Sequence, residues 1–199
     1  MSAVPSDDGQ PTIGDLLHLV PRGAAAFAAE VGGWVLVGQV AEMAPGWAFR
    51  TASGKGAHAV RAPTGEVEAI LDEGWAALVI KKRPGNGFAD TIFIGRATSN
   101  DVRVAHTSVS KLHARVRRIG DGLFLQDAGS SNGTLVNGDV VAAGVDVALV
   151  HGDVVRFGSI VLQCFEPLRL HGVLERFVLA RKEEAGQAAG PAAPRARRS

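Results

Sequence analysis

The chain has 199 residues, enough to bury a sizeable core as one domain with appendages. Its formal net charge of +1 supplies no global field for nucleic acid or an acidic membrane, so any preference for anions must be local. The single Cys164 excludes an intramolecular disulfide framework and cysteine-based zinc sites, and its apolar setting reads as a buried thiol suited to a reducing interior.

Residues 1–10 are polar and lack the basic and apolar regions of a secretory signal. No apolar run approaches the roughly 18 residues of a membrane span, so the reading is a soluble, cytoplasmic protein. Thr12 followed by Asp15 matches a capping pattern and predicts a short helix over 13–20, stopped by Pro21. A second, Ala-rich helix over 24–31 ends at Gly32-Gly33. From Trp34 the signal changes to strands, over 34–40 and more weakly over 47–50 and 66–71, separated by Gly, Pro and Ser clusters. Ser53-Gly54-Lys55-Gly56 is no phosphate loop, because Phe49 stands where the pattern needs Gly and Gly56 where it needs Ser or Thr.

Beyond Gly74 short strands follow closely, over 78–82, 91–95, 102–105, 113–119, 123–127, 134–136, 145–149, 154–157 and 160–165. With no helical pattern between them, they predict an all-β antiparallel sandwich rather than a parallel sheet with crossover helices. Gly120-Asp121-Gly122, Asn132-Gly133 and Asn137-Gly138 offer residues that tolerate positive φ, as tight hairpins need. After Pro167, Leu170, Val173, Leu174, Phe177 and Val178 are spaced for one helical face. The last 15 residues lack the apolar content to fold and read as a disordered basic tail, with net +4 from Arg169 onward against −3 before it.

The polar loop residues between these strands suit a phosphorylated group. Arg96 offers a planar fork for two phosphate oxygens, Ser110 and Ser131 offer hydroxyls, and Lys111 adds an ammonium and a backbone amide. Periodicity alone does not bring these loops together.

Six motifs in order resemble the forkhead-associated (FHA) domain family: Gly95-Arg96, Asn100-Asp101-Val102, Ser110-Lys111-Leu112-His113, Ser131-Asn132-Gly133-Thr134, Val136-Asn137-Gly138, and Gly152-Asp153 leading to Phe157-Gly158. The resemblance runs through about 78–167. It implies a sandwich of about eleven strands whose loops at one end bind phosphothreonine peptides, with short N-terminal helices and one C-terminal helix added here. By motif, Arg96, Ser110 and Lys111 resemble the phosphate contacts, Ser131 a hydroxyl donor on the facing loop, and Asn132 the side chain that bonds the peptide backbone. Gly95, His113, Gly133 and Thr134 resemble structural supports of that site. Ser108 stands where some members carry an Arg, so the resemblance implies no charge-based reading of an acidic residue downstream of the phosphothreonine.

The expected organisation is an N-terminal tail with short helices at 1–33, a β-rich extension at 34–75 that either joins the sandwich or stands outside it, the FHA domain at 76–167, a helix at 168–184 and the tail at 185–199. The expected function is a non-catalytic phosphothreonine-peptide adaptor in Ser/Thr kinase signalling, its partner a kinase substrate or the kinase itself, with no specific nucleic acid, membrane, cofactor or metal. The alternative is a phospho-independent scaffold built on the same sandwich. Gly129-Ser130-Ser131-Asn132-Gly133 matches G-x-S-x-G, but the residues after it read as strand and turn where a hydrolase elbow needs a helix, so no catalytic residue is assigned.

Overall fold

The computed structural model describes residues 11–40, 71–88, 90–120 and 122–188. The strand expected over 47–50, nearly all of that over 66–71, the Ser53-Gly54-Lys55-Gly56 loop, Asp121 and tail residues 189–199 lie outside the described residues.

Among the described residues eleven strands form two facing sheets. One carries β1 (Trp34–Gly38), β2 (Ala76–Ile80), β7 (Thr134–Val136), β8 (Asp139–Val140), β10 (Val154–Phe157) and β11 (Ile160–Phe165), in the order β2-β1-β11-β10-β7-β8. The other carries β3 (Thr91–Gly95), β4 (Val102–Arg103), β5 (Ala114–Ile119), β6 (Gly122–Asp127) and β9 (Val147–Leu149), in the order β4-β3-β5-β6-β9. The strand pairs are antiparallel except β3 with the two-residue edge strand β4, which is parallel.

The burial pattern of each strand reports what covers it. β5 and β6 alternate between buried and half-exposed positions, so the five-stranded sheet packs one face and leaves the other open to water. In β1 and β2 the last four residues are all buried, so this part of the six-stranded sheet is covered on both faces. Leu36 points into the core between the sheets with Ile94, Val116, Leu125, Phe157 and Leu162. Its neighbours Val35 and Val37 point the other way, into a second core with Ile13, Phe27, Leu170 and Leu174.

That second core is roofed by α1 (Ile13–Leu17), a 3₁₀ turn at Val20–Arg22, α2 (Ala24–Val31) and α3 (Pro167–Ala188). Thr12 caps α1 in the expected reciprocal way: its Oγ1 accepts the Asp15 amide at 3.3 Å while the Asp15 carboxylate accepts the Thr12 amide at 2.7 Å. The helix expected over 13–20 ends at Leu17, and Pro21 lies inside the 3₁₀ turn instead of stopping a helix. A proline in a first turn removes only an amide that has no helical partner. His171 on α3 donates through Nε2 to the Val20 carbonyl at 3.1 Å and sets its ring edge-on to Phe27, tying the C-terminal helix to the N-terminal turn. α3 runs four residues past the expected 184, because Ala-Gly-Gln-Ala after Glu184 contains enough helix-forming Ala and Gln to prolong it. Among the described residues no helix is long and apolar enough to cross a membrane.

Candidate functional site

Four connections meet at one end of the sandwich: the segment after β3, the loop from β4 to β5, the loop from β6 to β7 and the β10–β11 turn. Phe157 pairs with Thr134 at that end, and β3 delivers Gly95 beside the residues that precede β5. Together Arg96, Ser110, Lys111, Ser131 and Asn132 line a shallow depression of about 410 Å³ with Thr107, Ser108 and Gly129. The structure thus brings the five expected contact residues to one place.

Arg96 is exposed and is held from behind, its Nε donating to the Val109 carbonyl at 3.1 Å and its amide to the Ser110 carbonyl at 2.9 Å. Among the described residues no carboxylate pairs with Arg96 or Lys111. The nearby acid, Asp101, is committed elsewhere: it is 1% exposed and takes bonds from Lys82 Nζ, the amides of Arg83 and Phe93, and Asn86. Burial alone would raise the Asp101 pKa, but these donors together hold it below the usual carboxylate value.

Ser110 Oγ accepts the Ser131 amide at 3.0 Å and lies 3.4 Å from the Ser131 hydroxyl, so the two facing loops present their hydroxyls side by side. Asn132 donates through Nδ2 to the Ser108 carbonyl at 2.8 Å, which fixes the side chain across the depression and leaves its oxygen as an acceptor. The Ser108 hydroxyl is itself occupied, by the Ser159 amide at 3.0 Å and by His106 Nδ1 at 2.8 Å.

Behind these contacts stands a layer of braces. His113 is fully buried, its Nδ1 accepts the Ser110 amide at 3.0 Å, and its Nε2 faces the Gly133 carbonyl at 3.2 Å. An amide can only donate, so the ring proton must sit on Nε2, where it donates to Gly133 and ties the two facing loops together. Burial lowers the His113 pKa below its usual value, and the Gly133 carbonyl and the Asp127 charge only partly oppose this. Gly95 meets a different constraint: a Cβ there would lie 2.5 Å from the Lys111 carbonyl and 3.0 Å from the His113 amide, so only glycine lets β3 approach.

Two further braces are given no role by the sequence reading. Asn100, 4% exposed, donates through Nδ2 to the carbonyls of Ala97 at 2.9 Å and Lys111 at 2.6 Å, pinning the Arg96 loop to the Lys111 loop. Asp127 accepts the amides of Gly129 and Ser130 and the hydroxyls of Ser130 and fully buried Thr134, the last at 2.6 Å. Burial would raise its pKa, and these four donors more than offset that. An Asp two residues before a Gly is a recognisable turn signal that could have marked this position. Gly133 stands at φ +76°, in the left-handed region that favours glycine. The Asn132-Gly133 step closes no hairpin, however, because β6 and β7 belong to different sheets and the loop crosses between them.

The groups gathered at this end are ones that can meet an anion. The lining carries a guanidinium, an ammonium and two hydroxyls, all hydrogen-bond donors. The Ser131 hydroxyl of the G-x-S-x-G match meets Ser110 rather than an imidazole, and strand β7 follows it directly.

Residues 92–158 match the FHA domain family model. The chain carries an FHA domain. The chain is 36% identical over 94 residues to an oxoglutarate dehydrogenase inhibitor of Corynebacterium jeikeium, an alignment covering 45% of this chain and 63% of that protein. It is 35% identical over 94 residues to the glycogen accumulation regulator GarA of Mycolicibacterium smegmatis, covering 45% of this chain and 58% of that one. The chain therefore spans less than two thirds of either relative. Among solved structures, the FhaA FHA domain in complex with the intracellular domain of another protein is 33% identical, with 38% of this chain and 79% of that one covered and a TM-score of 0.35. The family model's match, 92–158, leaves out β1, β2, β11 and all the helices.

Proposed function

We propose that the FHA domain binds phosphothreonine peptides through Arg96, Ser110, Lys111, Ser131 and Asn132, and that the chain acts as a non-catalytic adaptor in Ser/Thr kinase signalling. The observation that carries this reading is the convergence of those five side chains on one open depression with no carboxylate paired to Arg96 among the described residues. The phosphate dianion meets the Arg96 fork, the Lys111 ammonium and the paired Ser110 and Ser131 hydroxyls, and Asn132 engages the peptide backbone beside it. Gly95, His113, Gly133 and Thr134, with Asn100 and Asp127, hold these donors in place. The occupant is a phosphothreonine protein, either a kinase substrate or the kinase itself. Its phosphothreonine methyl, once buried, adds about 0.8 kcal/mol over phosphoserine, a several-fold preference.

Pull-down from cell extract on the immobilised chain, followed by titration of the captured peptides, tests this reading. Phosphothreonine peptides are expected to bind, phosphoserine versions several-fold more weakly, and unphosphorylated versions not at all; equal affinity for all three contradicts the proposal. A second reading, a phospho-independent scaffold, draws on Leu168 and Leu179 of α3, which are 57% and 52% exposed. A partner that stays bound after phosphatase treatment and in Arg96→Ala favours it.

A further inference from the structure

A second cavity lies at the other end of β10 and β11. The pairing of Val154 with Gln163 is at the opposite end of the β10–β11 ladder from Phe157 and the reading loops. There, His151, Gln163 and Phe165 of the sandwich and Arg169, Gly172 and Arg176 of α3 enclose about 270 Å³. This is space for several atoms, far more than one water needs.

Its walls carry unmet hydrogen-bonding capacity. Gln163 is 3% exposed; its Nε2 donates to the Gly152 carbonyl at 3.1 Å, which fixes the amide, yet its Oε1 is buried with no partner among the described residues. His151 lines the same cavity, its Nδ1 is buried likewise with no partner among the described residues, and its ring leans on Phe165 at 5.4 Å between centroids. Buried polar atoms are nearly always paired, so orphans on two residues that line one cavity are an unusual pair. The Gln163 oxygen can only accept, so the occupant must bring a hydroxyl or amino donor. Arg169 and Arg176 line the same cavity and favour a negative charge. Glu166, the other charged group that acts on His151, is not part of the lining. The space exists because α3 carries Gly172 here: a Cβ on that residue would meet nothing closer than the Arg176 Nη1 atom at 3.8 Å.

We propose that this crevice binds a small anion that carries a hydroxyl or amino donor, the donor to Gln163 Oε1 and the carboxylate or phosphate to Arg169 and Arg176. It is a site for a small molecule, separate from the phosphopeptide reader and independent of that reading.

Calorimetric titration of the full chain with two matched pairs tests it: L-malate against succinate, and glycerol 3-phosphate against inorganic phosphate. Saturable binding of L-malate but not succinate supports a hydroxycarboxylate, and saturable binding of glycerol 3-phosphate but not phosphate supports a phosphorylated alcohol. Gly172→Leu fills the crevice and is expected to weaken the binding at least tenfold, as is Arg169→Ala at the exposed mouth; Arg96→Ala, which alters only the reader, leaves it unchanged. Arg169→Ala stands as the test if the leucine variant melts early. No saturable binding of either donor-bearing probe overturns the proposal. So does equal binding within both pairs, or binding that Arg96→Ala abolishes and Arg169→Ala does not touch.

Discussion

At the scale of single residues, the reading end is a thin layer of exposed donors on a dense layer of buried braces, and the two layers predict different mutant behaviour. Gly95 belongs to the braces. Gly95→Ala forces a methyl into the Lys111 carbonyl and the His113 amide. Backbone cannot yield as a side-chain end can, so we expect a loss of about 1–3 kcal/mol of stability, read in a urea melt. His113 carries a pH dependence. Its folded pKa is lowered by burial, so the unfolded chain binds the extra proton first as pH falls below the ordinary histidine value of 6.5. Stability is therefore full above that pH and declines below it. His151, also lowered by burial, adds to the same window. Asp101 and Asp127 are lowered carboxylates, and their contribution is lost only below the ordinary aspartate value of 3.8, so the two windows separate. Replacing His113 with Gln is expected to lower stability at pH 7.5 and to flatten the slope between pH 6.5 and 5; an unchanged slope contradicts this role for the ring.

At the scale of elements, local chemistry and long-range placement part company. Thr12 and Asp15 form the capping box their spacing predicts, because a cap is decided within four residues. Thr12→Ala removes the acceptor for the Asp15 amide and is expected to cost about 1 kcal/mol, checked by thermal melting. The alternation of apolar and charged residues in β5 and the continuous apolar run of β1 were likewise legible, since each records which faces are covered, whereas β6 hides its faces because Phe124 is half-exposed and Asp127 buried. The two-residue strand β8 left no pattern, being too short for any period. The parallel β3–β4 pairing and the crossing from β6 to β7 were hidden for another reason: sheet partnership depends on the whole ladder and not on the turn residues alone. The contact residues Arg96, Ser110, Lys111, Ser131 and Asn132 were legible as a motif set; Asn100 stood in that set without its role, and Asp127 was marked only by the Gly two residues on, because both act through hydrogen bonds that spacing does not show.

At the scale of the molecule, the sandwich has two cores that share the six-stranded sheet. The helices are no loose appendage, because α3 and α2 close over Val35 and Val37 of β1, whose other face, through Leu36, enters the core between the sheets. Leu174 is fully buried in that outer core. Leu174→Ala is expected to cost about 2–5 kcal/mol by opening a cavity, while folded protein keeps its phosphopeptide affinity, since the reading loops lie beyond the far side of the sheet. A fall in affinity as large as the fall in stability would show the helices to be part of the reader.

The reader itself is tested most directly by one calorimetric comparison: a phosphothreonine peptide against the wild-type chain and against Arg96→Ala. Arg96 is exposed, is fixed through its Nε to Val109, and has no acid to neutralise it among the described residues. The account predicts saturable binding to the wild type and a loss of about 2–4 kcal/mol in the variant, since the bound dianion loses its bidentate partner. Equal affinity in the two proteins, or none in either, would contradict it.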